Sequence, residues 1–529
     1  MGGTTVKDAD LDPLAYTVRV LFCTGTVLQL ADGLTLSGTQ LSGVPVNDGY
    51  CDLQVDVTDS KPGTTWVSYP VKVWIAANSA PVLAHPNAPQ LVGATGSVDY
   101  DPTQAGTTFV DPDGDAMTYE VSLRGDQQGL MISGARIVGT FPTVGAVDVT
   151  VTARDGYGGS ASQSFLIAKP ASASTEPHLH ATRYLYQDEE LALPYVFRTS
   201  SESVLPLWDT QPVDNPTTDA GATLGRVLFY DRRLSLTNTI SCASCHDQSH
   251  GFASPQRFDV GITGIPMKRN SMALANARYN IQSAWFWDMR AEGTHAKNSL
   301  QDVVLHPLQA HDELGMSPDF LVAKLAGTSF YPQLFADAFG SSGITIDRVG
   351  QALGQFVQAL ISYRAKADQA LNPMNDVPAV PGNVFNAQEL SGMDIFNLRC
   401  SLCHEPQAHA NVWQANNGLD VVSSDPGTLV PAFQRNGSRG VFRTPSLRNI
   451  AVSAPYMHDG RFATLREVIE HYNSGVQPSG DLDAILRNVD GTPRRLDLTE
   501  ADKNALEAFL RTLTDQPFLS DAKFSDPFQ

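Results

Sequence analysis

Two kinds of hydrophobic spacing divide this chain. Over the first 170 residues apolar and polar positions alternate, as in Val147-Asp148-Val149-Thr150-Val151-Thr152, between Gly-rich turns. A period of two marks strands with one buried face, and short strands between such turns predict β-sandwiches. Beyond about residue 200 the spacing becomes helical. Leu224, Val227 and Leu228 share one helix face, as do Val349, Leu353, Phe356, Val357 and Leu360. Thr464 with Glu467 and Thr499 with Asp502 read as capping boxes, the second opening a helix whose stripe is Leu506, Phe509, Leu510 and Leu513. The fold class expected is therefore multidomain, with two all-β sandwiches followed by a mainly α unit of two halves.

The β part repeats itself. Gly38, Gly43, Gly49 and Asp59 recur as Gly134, Gly139, Gly145 and Asp155, each at an offset of 96 residues (134 − 38). A period of that size means tandem domains rather than a solenoid. By the same offset Cys23 and Cys51 correspond to Tyr119 and Val147. The predicted layout is a sandwich over 1–79, a second over 80–170, a linker over 171–200 that starts near Pro170-Ala171-Ser172, and helical halves over 201–370 and 371–529. Asp12-Pro13 answers to Asp111-Pro112, so the first copy is expected to have lost its opening strand, with sequence upstream.

At 529 residues the chain exceeds one ordinary domain, and 42% hydrophobic residues suit packed globular units. No apolar run reaches the length of about 18 residues that a membrane span needs. A formal charge of −20 argues against nucleic acid and anionic membrane surfaces, and favours partners that are neutral or basic.

Four of the six cysteines fall in Cys242-Ala243-Ser244-Cys245-His246 and Cys400-Ser401-Leu402-Cys403-His404. C-x-x-C-H is the attachment signature of c-type haem: two thioethers to the vinyl groups and an axial histidine. Zinc is the alternative for such residues, but zinc does not need a histidine directly after both pairs. Two haem c groups are expected. Their covalent assembly outside the bacterial cytoplasm predicts a periplasmic or exported protein. Cys23 and Cys51 then read as a disulfide, with free buried thiols as the alternative. Met1-Gly2-Gly3 shows no signal peptide, so a processed or engineered start is expected.

Residues from about 200 to 529 resemble the dihaem bacterial cytochrome c peroxidase and MauG family. The resemblance extends well beyond the haem motifs: Leu224-Gly225-Arg226-Val227-Leu228-Phe229-Tyr230-Asp231, Arg269-Asn270-Ser271, Phe286-Trp287-Asp288 with Arg290-Ala291, Arg443-Thr444-Pro445-Ser446-Leu447-Arg448-Asn449, and Ala454-Pro455-Tyr456-Met457-His458-Asp459-Gly460. It implies a peroxide-reacting N-terminal haem on His246 and a C-terminal haem on His404 that stores or relays an electron. A histidine that caps the first iron in part of the family aligns with Ile262, which implies an iron open to peroxide. The family's distal acid falls on Glu313, suited to moving a proton between the peroxide oxygens. A distal glutamine of the family is replaced by Val303. Glu292 to Asn298 reads as an insertion, and His306 and His311 lie nearby.

For the second haem the resemblance puts Tyr472 at the sixth position, where the peroxidase branch has methionine and the MauG-like branch tyrosine. His471 and Met457 are rival ligands, but consecutive helical residues point about 100° apart, so His471 and Tyr472 cannot both face the iron. Trp287 aligns with a tryptophan that passes electrons between the haems, with Trp285 as a weaker candidate. A structural calcium is implied between the halves, on the Asn270 side chain and the carbonyls of Ser453 and Pro455, all oxygen donors.

The second β copy, with Asp111-Pro112-Asp113-Gly114-Asp115 and Ala153-Arg154-Asp155-Gly156, resembles cadherin-like, immunoglobulin-fold repeats. Its aspartates read either as a calcium site or as ordinary Asp/Gly turns. The functional expectation is a dihaem peroxidase that spends its oxidising equivalents on a small redox donor, a cytochrome c or cupredoxin. The alternatives are a MauG-like oxidase acting on a partner protein, a non-catalytic dihaem electron carrier, and an adhesion or docking module carrying a passive haem unit.

Overall fold

A computed structural model describes residues 14–24, 26–27, 30, 34–43, 49–58, 67–75, 77–127, 129–173, 175–180, 182–187, 193, 209, 211–280, 284–292, 300–371, 380–404, 414–430 and 438–529. The first sandwich is built on one sheet in which Thr26–Val27, Ala15–Cys23, Gly49–Thr58 and Val67–Ile75 lie side by side, with a separate hairpin of Leu34–Ser37 and Gln40–Gly43. Cys23 faces Cys51 across two antiparallel strands and the pair forms a disulfide. Both are buried, beside Leu53.

The second copy repeats the hairpin as Leu130–Ser133 with Arg136–Thr140 and the central strand as Gly145–Arg154, at the expected offset of 96 (145 − 49). Its opening strand is displaced. Phe22 faces Asp52 in the first copy, whereas Arg124 faces Asp148 in the second, an offset of 102 (124 − 22). Tyr119 is therefore not the counterpart of Cys23. The loop between opening strand and hairpin is longer in the first copy, and that shifts the register.

Within the second copy, Thr118–Arg124, Gly145–Arg154, Ser160–Lys169 and Gln90–Leu91 form one sheet, and Leu130–Ser133, Arg136–Thr140 and Ser97–Tyr100 the other. Val147, Val149, Val151, Phe165 and Ile167 point between the sheets and are buried. The alternate positions Ala146, Leu166 and Ala168 are buried too, on the opposite face, against Leu236 and Ile262 of the helical part. The outer face of this sheet is thus an interdomain contact.

Within the stretch expected as a linker, described residues at 171–187 are packed against the haem part. Ala171 N–H donates to Thr237 O at 2.8 Å, and Tyr186 is buried in the core of the first helical half. That core is built on helices Asp219–Tyr230 and Ile346–Ala359, and the predicted positions Leu224, Val227, Leu228, Val349, Leu353 and Phe356 are all buried in it. Phe518 and Phe524 join it from the C-terminal end, so residues 516–529 pack on the first half. The second half centres on helices Ala387–Arg399 and Glu500–Arg511, joined by Phe396 and Phe509 rings 5.3 Å apart. Both predicted capping boxes form, at Thr464/Glu467 and Thr499/Asp502. Among the described residues no helix is long and apolar enough to cross a membrane.

Candidate haem and peroxide site

Each C-x-x-C-H sits on a tight turn that gathers its donors. Cys242–Ser244 is a single 3₁₀ turn, and His246 N–H donates to Cys242 O at 3.0 Å. Cys400 caps helix Ala387–Arg399, and His404 N–H donates to Cys400 O at 3.0 Å. In each motif the imidazole Nδ1 is engaged by a backbone carbonyl: Phe252 O at 2.9 Å for His246 and Pro445 O at 3.2 Å for His404. This fixes the tautomer with Nδ1 as donor and leaves the Nε2 lone pair for iron. Burial lowers both histidines, His404 to about 4, so the rings are neutral, as axial ligands must be.

The first motif opens into a cavity of about 1200 Å³, larger than the ~300–1,000 Å³ of an ordinary ligand cleft. Arg443 lines it, is buried, and is pulled down to about 9 by burial. Its Nε has no hydrogen-bond partner, and no described carboxylate pairs with it. An uncompensated buried cation suits the propionates of a haem. Neutral imidazoles, paired thiols, cavity size and this cation all fit haem c.

Glu313 lines the same cavity. Its backbone N–H donates to Ala310 O at 3.0 Å and its carbonyl accepts from Ile262 N–H at 3.1 Å, whereas its carboxyl makes no hydrogen bond to a described residue. Burial raises its pKa; Arg290 opposes this, and the Asp312 and Asp259 charges add to it. The Glu313 charge in turn bears on both thiols, Cys242 and Cys245, after burial itself. Gly261 makes this approach possible, because a Cβ there would lie 1.6 Å from Asp312 O and 3.0 Å from Glu313 Cα.

Ile262, at the position of the capping histidine, does not line the cavity but packs among Ala146, Leu166 and Ala168 of the β-domain. Val303 does line the cavity and packs with Trp285 and Val357. His306 is exposed beside the Phe286 ring. His311 lines the cavity, its Nδ1 3.5 Å from Asp148 Oδ1. Residues 293–298 of the expected insertion lie outside the described residues.

Trp287 links the two halves. Its indole N–H donates to Asn270 O at 2.8 Å, its carbonyl accepts from Arg443 N–H at 2.9 Å, and its ring meets His458 edge-on at 6.5 Å. Trp285 is buried in the cluster with Val303, and Arg443 lies over its ring. Asn270, Ser453 and Pro455 line the shared cavity. The Asn270 amide donates to Gln256 O at 2.8 Å, which turns Oδ1 the other way.

At the second motif the helix Leu465–Glu470 continues as a π turn over His471–Gly475, a local widening common at functional sites. The three rival ligands meet at Asn417, which no pattern in the sequence singled out. Its amide lies 3.3 Å from Tyr472 Oη and 3.5 Å from Met457 Sδ, and its carbonyl engages His471 Nε2 at 3.0 Å. His471 is thereby committed to the backbone. Tyr472 is pushed up to about 12 by burial, with Asn417 opposing and Cys403 and Cys400 adding to the rise.

Comparison with known proteins adds to this geometry. The family described as di-haem cytochrome c peroxidase matches residues 219–376, and the Ig-domain family He_PIG matches residues 80–168. The methylamine utilization protein MauG of Methylorubrum extorquens is 30% identical over 58% of this chain and 81% of its own length. Cytochrome c551 peroxidase of Nitrosomonas europaea is 31% identical over 56% of this chain and 80% of its own. A crystal structure of a MauG-like protein associated with microbial copper homeostasis superposes with a TM-score of 0.52 at 30% identity, covering 60% of this chain and 96% of that one.

Proposed function

The chain belongs to the di-haem cytochrome c peroxidase and MauG family, and we propose that it turns over hydrogen peroxide in the Glu313 cavity while its second haem, closed by Tyr472, holds oxidising equivalents that pass through Trp287. It is a peroxidase-type oxidoreductase with two covalently held haem c groups. The reading is carried by the asymmetry of the two motifs. One opens beside a half-buried carboxyl that makes no hydrogen bond to a described residue; the other lies beside a half-buried phenol whose proton is held by its surroundings.

Haem attached at Cys242 and Cys245 and held by His246 would supply the redox centre for peroxide. Glu313 would carry a proton between the two peroxide oxygens, so that the departing one leaves as water. Arg443 would offset the charge of the haem propionates, and Val303 with Trp285 keeps that wall apolar. Trp287, fixed by Asn270 O, is placed to pass electrons between the halves. The reductant is a small cytochrome c or cupredoxin. Tyr472 in place of methionine favours the second reading, a MauG-like oxidation of a partner protein, because a hard anionic donor stabilises oxidised iron. A periplasmic or exported setting fits the Cys23–Cys51 disulfide.

Calcium belongs to the same reading at two places. Asn270 Oδ1 with the carbonyls of Ser453 and Pro455 would hold one ion between the halves. Asp111, Asp113 and Asp115 would hold another, their carboxylate oxygens lying within 4.8 Å of one another. Asp111 Oδ1 caps its own turn through Asp113 N–H at 2.9 Å, whereas Oδ2 is buried without a partner.

The test adds peroxide to the diferric protein with a small cytochrome c as donor. Turnover without prior reduction is expected, from a ferric spectrum mixing high-spin and low-spin haem, and Tyr472→Met should impose a need for prior reduction. Two low-spin haems, or no turnover until the protein is reduced, overturn the reading.

A further inference from the structure

The β-domain forms part of the wall of the peroxide cavity. Arg124, Asp148 and Ser164 line it together with His311, Asp312 and Glu313. Arg124 sits at the end of its strand and donates to Asp148 Oδ2 from Nε at 3.1 Å and from Nη2 at 2.9 Å. Its Nη2 also pairs with Asp312, the residue before Glu313. Asp148, almost fully buried, faces His311 through Oδ1, so three consecutive residues ending in Glu313 include two held by the sandwich.

The backbone and core contacts make the same join. Ala146 N–H donates to Ile262 O at 3.1 Å, and Ile262 N–H donates to Glu313 O at 3.1 Å. One turn of the haem half is thus bonded to the sandwich on one side and to the Glu313 loop on the other. Gly315 closes the loop at φ +62, where a Cβ would lie 2.5 Å from both Ile262 Cδ1 and Leu166 Cδ1. The loop therefore packs directly against the sandwich at this point.

We propose that the second β-sandwich is a working part of the peroxide site, and that Arg124 and Asp148 are positioning residues that hold the His311–Glu313 loop over the first haem. The inference rests on the peroxidase reading given above. A displacement of about 1 Å at a reacting group costs on the order of 10²-fold in rate, so a loosened loop has a measurable consequence. The charged and titratable groups facing Glu313 are Arg290, Asp312 and Asp259, with His311, Arg124 and Asp148 behind Asp312. Loss of Arg124 leaves the Asp312 carboxylate uncompensated beside Glu313.

The test compares Arg124→Ala, Asp148→Asn and Arg124→Lys with the parent holoprotein. Three measurements are made: peroxide turnover against pH, hydrogen exchange of peptides covering 261–263 and 310–315, and the ferric spectrum. Arg124 is exposed over half its side chain, so its variants should fold. Arg124→Ala and Asp148→Asn should lower kcat about ten-fold or more and speed exchange in both peptides. Arg124→Ala should also move the acid limb of the pH profile upward, and Arg124→Lys should restore all three. The low-spin signal of the second haem should not change. Unchanged exchange and kcat overturn the proposal, as does faster exchange with unchanged kcat. If the parent itself turns over no peroxide, the peroxidase reading fails, and the positioning claim fails with it even where exchange shows the domains docked.

Discussion

Glu313 joins two demands in one side chain. To take the first proton from peroxide it must be ionised, yet burial raises its pKa, with Asp312 and Asp259 adding to the rise against Arg290. Turnover should therefore fall as pH drops through that raised value. Glu313→Gln keeps the shape and removes the proton transfer, which is worth roughly 10²–10⁴-fold in such steps. Its effect on stability has the opposite sign. An acid whose folded value is raised stabilises the fold while protonated, and that contribution is lost as pH rises through the unfolded and then the folded value. At neutral pH the Gln variant should thus melt no lower than the parent while its peroxide turnover collapses. A lower melting temperature with partial activity would mean that Glu313 serves packing. The alignment of motifs pointed to Glu313 and Tyr472 from sequence alone. It could not point to Asn417, a lone loop amide whose contacts with Tyr472, Met457 and His471 exist only once distant segments meet.

At the scale of elements, the legible features were those with local causes. Capping boxes satisfy orphan helix donors within a few residues, and the apolar stripes on Ile346–Ala359 and Glu500–Arg511 need only a 3.6 period. The π turn at His471–Gly475 instead has distant partners: the backbone and side chain of Asn473 accept from Leu496 N–H at 3.2 Å and Leu498 N–H at 2.8 Å. The motif residues Arg448 and Asn449 carried the resemblance, and the structure gives them structural work. Arg448 is fully buried and paired with the buried Asp368, Nη1 to Oδ2 at 2.6 Å. Asn449 Oδ1 accepts from Asp515 N–H at 2.8 Å, while Asp515 receives the N–H groups of Tyr363 and Arg364. Arg448→Ala strands a buried carboxylate, and breaking such a pair typically costs about 3–5 kcal/mol. Urea denaturation should show a loss of that order. A loss under about 1 kcal/mol would mean that water or another cation reaches Asp368.

At the scale of the molecule, the domain order was readable but the docking was not, for a reason visible in one strand. Phe165-Leu166-Ile167-Ala168 breaks the alternation seen in Val147–Thr152, and a continuous apolar run signals a strand buried on both faces. Its second covering layer is Leu236 and Ile262, far along the chain, so the run tells that a partner exists but not which. The opposite end of the same sandwich has a different character. There Asp113 Oδ2 accepts from Ser79 N–H at 2.6 Å and Asp155 Oδ2 from the Asn78 amide at 2.7 Å, so the aspartate cluster is tied to the segment leading in from the first copy. Burial, then the charges of Asp111, Asp113 and Asp155, raise Asp115, as expected of acids crowded without a counter-ion. Calcium at extracellular modules binds with Kd of roughly 10⁻⁴–10⁻³ M. At a concentration a hundred times Kd, a ligand that binds only the folded state adds about 2.7 kcal/mol. Calcium at roughly 10 mM should therefore raise the melting transition of the β-domains, EDTA should reverse the rise, and Asp111→Asn should abolish it. The rise should also shrink as pH falls and the cluster takes up protons. Because Asp111 lies at the end of the sandwich away from Arg124 and Asp148, peroxide turnover should not follow calcium through this cluster. A calcium-dependent kcat that survives Asp111→Asn would instead assign the effect to the ion at Asn270, between the haem halves.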